Sequence, residues 1–249
     1  MLNILKLSCL KYWWNIKNNK IKLIIVILFN TILLLIFFLG MKSEDAMETL
    51  GIDYATIFII YIIIWIIMSS FSKMSELITT ENKEGTLEIL YTSPYGFIKI
   101  LFSNIIINIF ICVLLLLLLF ILNNSITGIL NNANFFQLTF VITIGMFSLY
   151  GIGLIIAGIT LLTKEIDMIL FVVKIVAAYL IMTYDSIFIP FTEAKNLITD
   201  IILNGSIDQS KIGPSILTLI LNSLLYFILG VIVYKVIEKQ ALKRGSIGN

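Results

Sequence analysis

Long apolar blocks alternate with short polar stretches along most of the chain. The blocks cover residues 23–40, 54–71, 98–122, 135–162, 168–184 and 215–234. An α-helix rises about 1.5 Å per residue, so roughly 20 residues cross the ~30 Å hydrocarbon layer of a bilayer. The core of the second block, residues 57–68, is dominated by isoleucine, with Trp65 inside it. A run of that composition could be a buried strand, but the length of the block decides for a helix. Peptide groups in hydrocarbon must find their partners within the segment, which a helix allows. The pattern predicts an all-α polytopic membrane protein with six transmembrane helices, forming a single membrane domain over residues 1–249.

The chain opens differently. Leu2, Leu5, Cys9, Trp13 and Ile16 recur at three- and four-residue spacing, with Lys6, Lys11 and Lys17 between them. This predicts an amphipathic interfacial helix over residues 1–20, with tryptophans at headgroup level and lysines reaching anionic lipid. An irregular basic leader is the alternative, and both readings put this end in the cytoplasm. The first apolar run ends at Gly40, Met41 and Lys42 without a small-x-small cleavage site. It is therefore expected to be a retained span rather than a signal peptide.

Composition agrees with the pattern. Hydrophobic residues make up 59% of the 249 and charged residues only 13%, against roughly 25% charged in a soluble domain. The net charge of +2 gives no reason to expect a nucleic-acid partner. The chain has no histidine, which excludes serine–histidine, cysteine–histidine and histidine–metal chemistry. Its two cysteines, Cys9 and Cys112, lie in separate segments without metal-ligand spacing. No Gly-x-x-x-x-Gly-Lys phosphate loop is present, so any nucleotide energy has to be bound by another chain.

Basic residues fix an expected orientation. With the first residue inside and six spans, Lys6, Lys11, Lys17, Lys20, Lys22, Lys73, Lys83, Lys99, Lys164, Lys235, Lys239, Lys243 and Arg244 fall on the inner side. Only Lys42, Lys195 and Lys211 fall outside, and Lys174 lies in the fifth span. The bias predicts that both termini are cytoplasmic. Residues 123–134, rich in asparagine, are expected to form a loop. Gly145, Gly151, Gly153, Ala157 and Gly158 give the fourth span small faces, with Gly153 and Ala157 as a small-xxx-small pair. Between the fifth and sixth spans, residues 187–191 are expected to dip into the membrane interface, and a short helix is expected through 194–203.

The most informative segment lies between the second and third spans: Glu81-Asn82-Lys83-Glu84-Gly85-Thr86-Leu87-Glu88, followed by Pro94. Leu77, Glu81, Glu84 and Glu88 are spaced for one helical face, which Gly85 would weaken by roughly 1 kcal/mol. On spacing alone it is either a docking surface for a soluble partner or a solvated loop. The run Glu81, Glu84, Gly85, Thr86, Leu87, Glu88 with Pro94 resembles the signature of the ABC-2 type transporter permeases. The tail Ala241, Arg244, Gly245 and Gly248, and the plan of an interfacial helix with six spans, are similar to that family too. The resemblance implies a permease subunit, itself without an active site or cofactor, that pairs as a homodimer or with a homologous permease. It implies ATP-binding cassette subunits that bind ATP and Mg and dock at Glu81, Glu84, Gly85, Thr86, Leu87 and Glu88. It implies outward movement of a hydrophobic or amphipathic substrate such as an antimicrobial peptide, a drug or a lipid-linked molecule. The segment between the fifth and sixth spans is less hydrophobic than in the family.

Among the polar residues inside the predicted spans, Lys174, Asn104 and Asn108 are the candidates for a path or an interhelix contact. Lys174 lies six residues into the fifth, about 9 Å at the standard rise, so its stem can snorkel to the headgroups. The alternative puts it on the translocation path or in an interhelix contact, with an anionic substrate or Asp167 as its partner. Asn104 and Asn108 share a side of the third span and are expected to bond a neighbouring helix. A partnerless small membrane channel or a bacteriocin-immunity protein is the alternative function. The short outer loops favour a small or membrane-partitioned substrate.

Overall fold

The computed structural model describes residues 6–11, 14, 17, 54–93, 96–127, 133–163, 167–207 and 212–244. The expected first span at 23–40 and the acidic loop after it lie outside these residues. So do Pro94 and the glycines of the C-terminal tail. The expected helix over 1–20 is described only at 6–11, 14 and 17, which are helical.

Seven further helices follow among the described residues, and no strand occurs among them: α1 (Tyr54–Lys83), α2 (Leu87–Thr92), α3 (Phe97–Thr127), α4 (Phe135–Thr163), α5 (Asp167–Thr183), α6 (Thr192–Asn204) and α7 (Ile212–Arg244). Four of them, α1, α3, α4 and α7, are long and apolar enough to cross a membrane. This is the architecture of a membrane protein. Three helices outrun the apolar blocks that predicted them. α1 continues through Lys83, because nothing in 72–84 breaks a helix until Gly85. α3 continues through Thr127 instead of ending in a loop at residue 123. The Ser125 hydroxyl bonds back to the Ile121 carbonyl at 2.8 Å, and no glycine or proline intervenes before Gly128. α7 starts at Ile212, with Pro214 in its first turn, where its missing N–H costs nothing.

α4 is the hub, and its small residues explain why. Its glycines admit α6, α1 and α7. A Cβ on Gly153 would stand 3.1 Å from the Phe71 carbonyl oxygen of α1, and one on Gly158 would stand 3.1 Å from the Ile237 side chain of α7. At Gly151 it would overlap the α7 backbone at Tyr226 and Phe227. These contacts pair Phe71 and Tyr226 with the middle of α4, and Ile237 with its end. α7 therefore runs in the same direction as α4, and so does α1, since Tyr91, just past its end, reaches Tyr234 in the later half of α7. α3 runs the opposite way, with the Asn108 amide donating to the Tyr150 hydroxyl at 2.7 Å and the Phe120 ring packed 5.0 Å from Phe135. A further bond between Ser69 and Cys112, at 3.7 Å, ties α1 to α3.

The segment expected as the fifth span, 168–184, forms one unbroken helix, α5. α5 has 17 residues, which at the standard rise extends about 25 Å, short of the ~30 Å layer. The chain then turns through residues 184–191, and α6 continues toward the start of α4. Two contacts fix its course. Ala194 and the Phe191 ring sit against Gly145, and the Gly205 carbonyl accepts from the Asn134 amide at 2.9 Å. Gly145 lies ten residues into α4, about 15 Å from its beginning. α6 thus runs along α4 in reverse, while α5 packs on α1 and its end lies beside Lys195 of α6. The short helix expected at 194–203 is present as α6, and the turn at 187–191 is set deeper than an interface dip. α7 satisfies the broken backbone there: the Asn222 amide donates to the Ile187 carbonyl and the Tyr226 hydroxyl to the Phe188 carbonyl. Phe191 takes φ of 68°, a strained value for a bulky residue, and is held there by full burial.

Candidate functional site at the acidic end of the bundle

The C-terminal ends of α1, α4 and α7 lie at one end of the bundle, and the Glu81–Glu88 segment is there. α1 stops by a Schellman motif. Gly85 sits at φ of +68° with open space around its Cα. Its amide donates to the Asn82 carbonyl at 3.1 Å, and the Thr86 amide donates to the Glu81 carbonyl at 2.9 Å. Those are the two bonds of that cap, and the left-handed residue in it is ordinarily glycine. The usual apolar contact across the cap is replaced by a polar one. The Thr86 hydroxyl donates to the Glu81 carboxylate at 2.5 Å.

The break undoes the single face that Leu77, Glu81, Glu84 and Glu88 would have shared on a continuous helix. Glu88 belongs to α2, and the docking residues divide by environment. Glu81 is buried and its carboxylate is taken by Thr86 and by the Lys11 ammonium of the N-terminal segment. Leu87 is buried and roots α2 in the core. Thr86 is half-buried, while Glu84, Gly85 and Glu88 are exposed. The surface offered to solvent is therefore Glu84, Gly85 and Glu88, and it is joined by Ile89, which is 66% exposed. Ile89 was readable in the sequence: Leu87, Leu90 and Tyr91 occupy one side of a short helix, leaving Ile89 on the other. Lys11 carries no sequence signal, because a lysine on an amphipathic leader reads as a lipid contact.

α2 is coupled to the rest of the bundle through Tyr91. Its ring stacks on Phe97 with centroids 4.5 Å apart, and its hydroxyl lies 3.1 Å from the Tyr234 hydroxyl of α7. Burial pushes the Tyr91 phenol well above its ordinary value, and the neighbouring Glu238 carboxylate adds to the rise. The bond with Tyr234 opposes it.

Lys174, Asn104 and Asn108 are not brought together. The Asn108 amide crosses to Tyr150 of α4, whereas the Asn104 amide donates to the Ile100 carbonyl of its own helix at 2.9 Å. Lys174 is half-buried on α5 and feels the Glu76 carboxylate of α1. The Asp167 side chain, the partner considered from the sequence, lies outside the described residues. Comparison with protein-family models, with curated proteins and with solved structures found no match to this chain.

Proposed function

We infer that the chain is the membrane permease of an ABC exporter, resembling the ABC-2 type. In this reading it spans the cell membrane six times with both termini in the cytoplasm and pairs with a second permease. ATP hydrolysis in separate ATP-binding cassette subunits drives a hydrophobic or amphipathic substrate outward. The observation that carries the reading is the helix break at Gly85. It sets a short helix at the bundle end, rooted by Leu87 and Tyr91, with Glu84, Glu88 and Ile89 facing solvent. An apolar side chain flanked by two carboxylates is suited to a partner groove with basic rims. A partner whose affinity depends on nucleotide could then bias the bundle between two states.

The test is copurification from native membranes. A nucleotide-hydrolysing subunit is expected to accompany the wild-type chain and to be lost from Glu84→Lys/Glu88→Lys. If ATPase activity copurifies equally with both, or with neither, the docking assignment fails.

A further inference from the structure

A cavity of about 390 Å³ opens between the beginning of α1, the end of α5 and α6. Its walls differ in character. Ile59 and Ile63 of α1 form an apolar wall, while Lys195, Asn196 and Asp200 line the facing side from α6. Asp185, just past α5, stands at the rim. The polar wall is the outer face of an amphipathic helix whose other face, Ala194, Leu197, Ile198 and Ile201, is buried.

The depth of α6 makes that polar wall informative. Its first turn is level with Gly145, about 15 Å along α4, so the helix lies within the length of the spans rather than beyond them. Lys195 is at that depth, and Asp200 lies about 7 Å nearer the end where Gly205 meets Asn134, still within the length of α4. Ionisable side chains so placed face water-filled cavities or partners and mark ligand paths. The charges do not cancel. The Lys195 side chain, 13% exposed, places its ammonium 2.5 Å from the carboxylate of the exposed Asp185. Asp200 has no ion-pair or hydrogen-bond partner among the described residues, and the described lining carries two carboxylates, Asp185 and Asp200, against the one ammonium of Lys195. Its volume is within the range of small-molecule sites and too large for a bare metal ion held by one carboxylate.

We propose that this cavity binds a small amphipathic cation. Its apolar body lies on the Ile59–Ile63 wall, and Asp200 supplies the counter-charge. As a substrate class, this rests on the exporter reading. As a binding site, it stands on the cavity alone.

The two are separated by measuring binding to the purified full chain in lipid nanodiscs, without nucleotide or partner. The probes are tetraphenylphosphonium and tetraphenylborate, ions of the same shape and opposite charge. Saturable binding of the phosphonium, and none of the borate assayed separately, is expected. Asp200→Asn should weaken it about fivefold, the effect of one partly screened charge, and Asp200→Lys should abolish it. Glu193→Gln, on the same helix but outside the cavity, should leave it unchanged. The proposal is overturned if the wild type shows no saturable phosphonium binding above empty nanodiscs. Equal affinity for the borate, or wild-type binding by Asp200→Asn, overturns it too. Loss of binding with the ATPase still copurifying would remove this site and leave the exporter reading intact. The converse result would do the opposite.

Discussion

Gly151 of α4 and Gly230 of α7 meet backbone to backbone. A Cβ built on Gly230 would overlap the Gly151 carbonyl, and one on Gly151 would overlap the carbonyl of Tyr226, one helical turn before Gly230. Neither obstacle is a side chain that could rotate away. In a bilayer, where burying apolar surface between helices gains little over lipid, such close approach supplies much of the association energy through dispersion contacts.

Gly151→Ala and Gly230→Ala are therefore expected to push α4 and α7 apart, each destabilising the fold by about 1–3 kcal/mol. Gly213, at the start of α7, has open space where a Cβ would go. Gly213→Ala should change stability by no more than about 1 kcal/mol. Reversible unfolding in mixed micelles would show the contrast, and equal behaviour of all three variants would contradict it.

The break between α5 and α6 depends on a second glycine. At Gly145 a Cβ would stand 2.6 Å from the Ala194 Cβ and 2.9 Å from the Phe191 ring. Gly145→Ala should dislodge the start of α6, and removing the Ala194 methyl should partly restore the fit. The double variant Gly145→Ala/Ala194→Gly is expected to be more stable than the sum of the single effects, by about 0.5–1 kcal/mol. Strict additivity in a double-mutant cycle would mean that the two residues are not in contact.

Spans were readable where a block was both long and uniform. The helix ends and the course of α6 were not, for reasons that lie in particular residues. Hydropathy cannot tell a helix leaving the membrane from one that stops, so α1 and α7 ran on through charged turns that still favour helix. The 168–184 block was legible as a helix and α5 covers it, whereas the course of α6 back along α4 was not, because Lys195 and Asp200 on its cavity-lining face broke the apolar pattern. Gly85 was noted as a weak point in a helix. Its actual role, a left-handed cap that separates Glu81 from Glu88, required the backbone geometry. Asn108 and Asn104 looked alike by spacing, and only the position of Tyr150 distinguishes them.

The division within the acidic segment makes a sharp prediction. Glu81 serves the chain's own fold, whereas Glu84 and Glu88 do not. Glu81→Ala removes the acceptor of Lys11 and leaves the Thr86 hydroxyl only the longer bond to the Glu81 carbonyl, at 3.3 Å, and should cost about 1–2 kcal/mol. The lower part of that range is favoured because Lys11 is 54% exposed and its share is screened. Glu84→Lys and Glu88→Lys, both at exposed positions, should stay within about 0.5 kcal/mol of wild type. Thermal unfolding of the purified variants decides this. A large loss at Glu84 or Glu88, or none at Glu81, would reverse the assignment.

Alkaline pH offers a probe of the contact between α2 and α7. Tyr91 has its phenol raised chiefly by burial, with Glu238 adding to the effect and the Tyr234 bond reducing it. The unfolded chain releases that proton near pH 10, while the folded chain retains it to higher pH. Above about pH 10 the folded state holds more protons than the unfolded state, so stability must fall as pH rises. The contribution is complete below that value and is lost progressively as pH climbs toward the folded phenol's own. Tyr91→Phe removes this titration. It should lower stability near neutrality by about 1 kcal/mol, through the lost bond to Tyr234, and then decline less steeply in alkali. Lysine deprotonation gives both proteins the same background. Denaturation series from about pH 8 to about pH 11 would compare the slopes, and parallel curves would show that the Tyr91 ring is solvated and that α2 is not seated on α7.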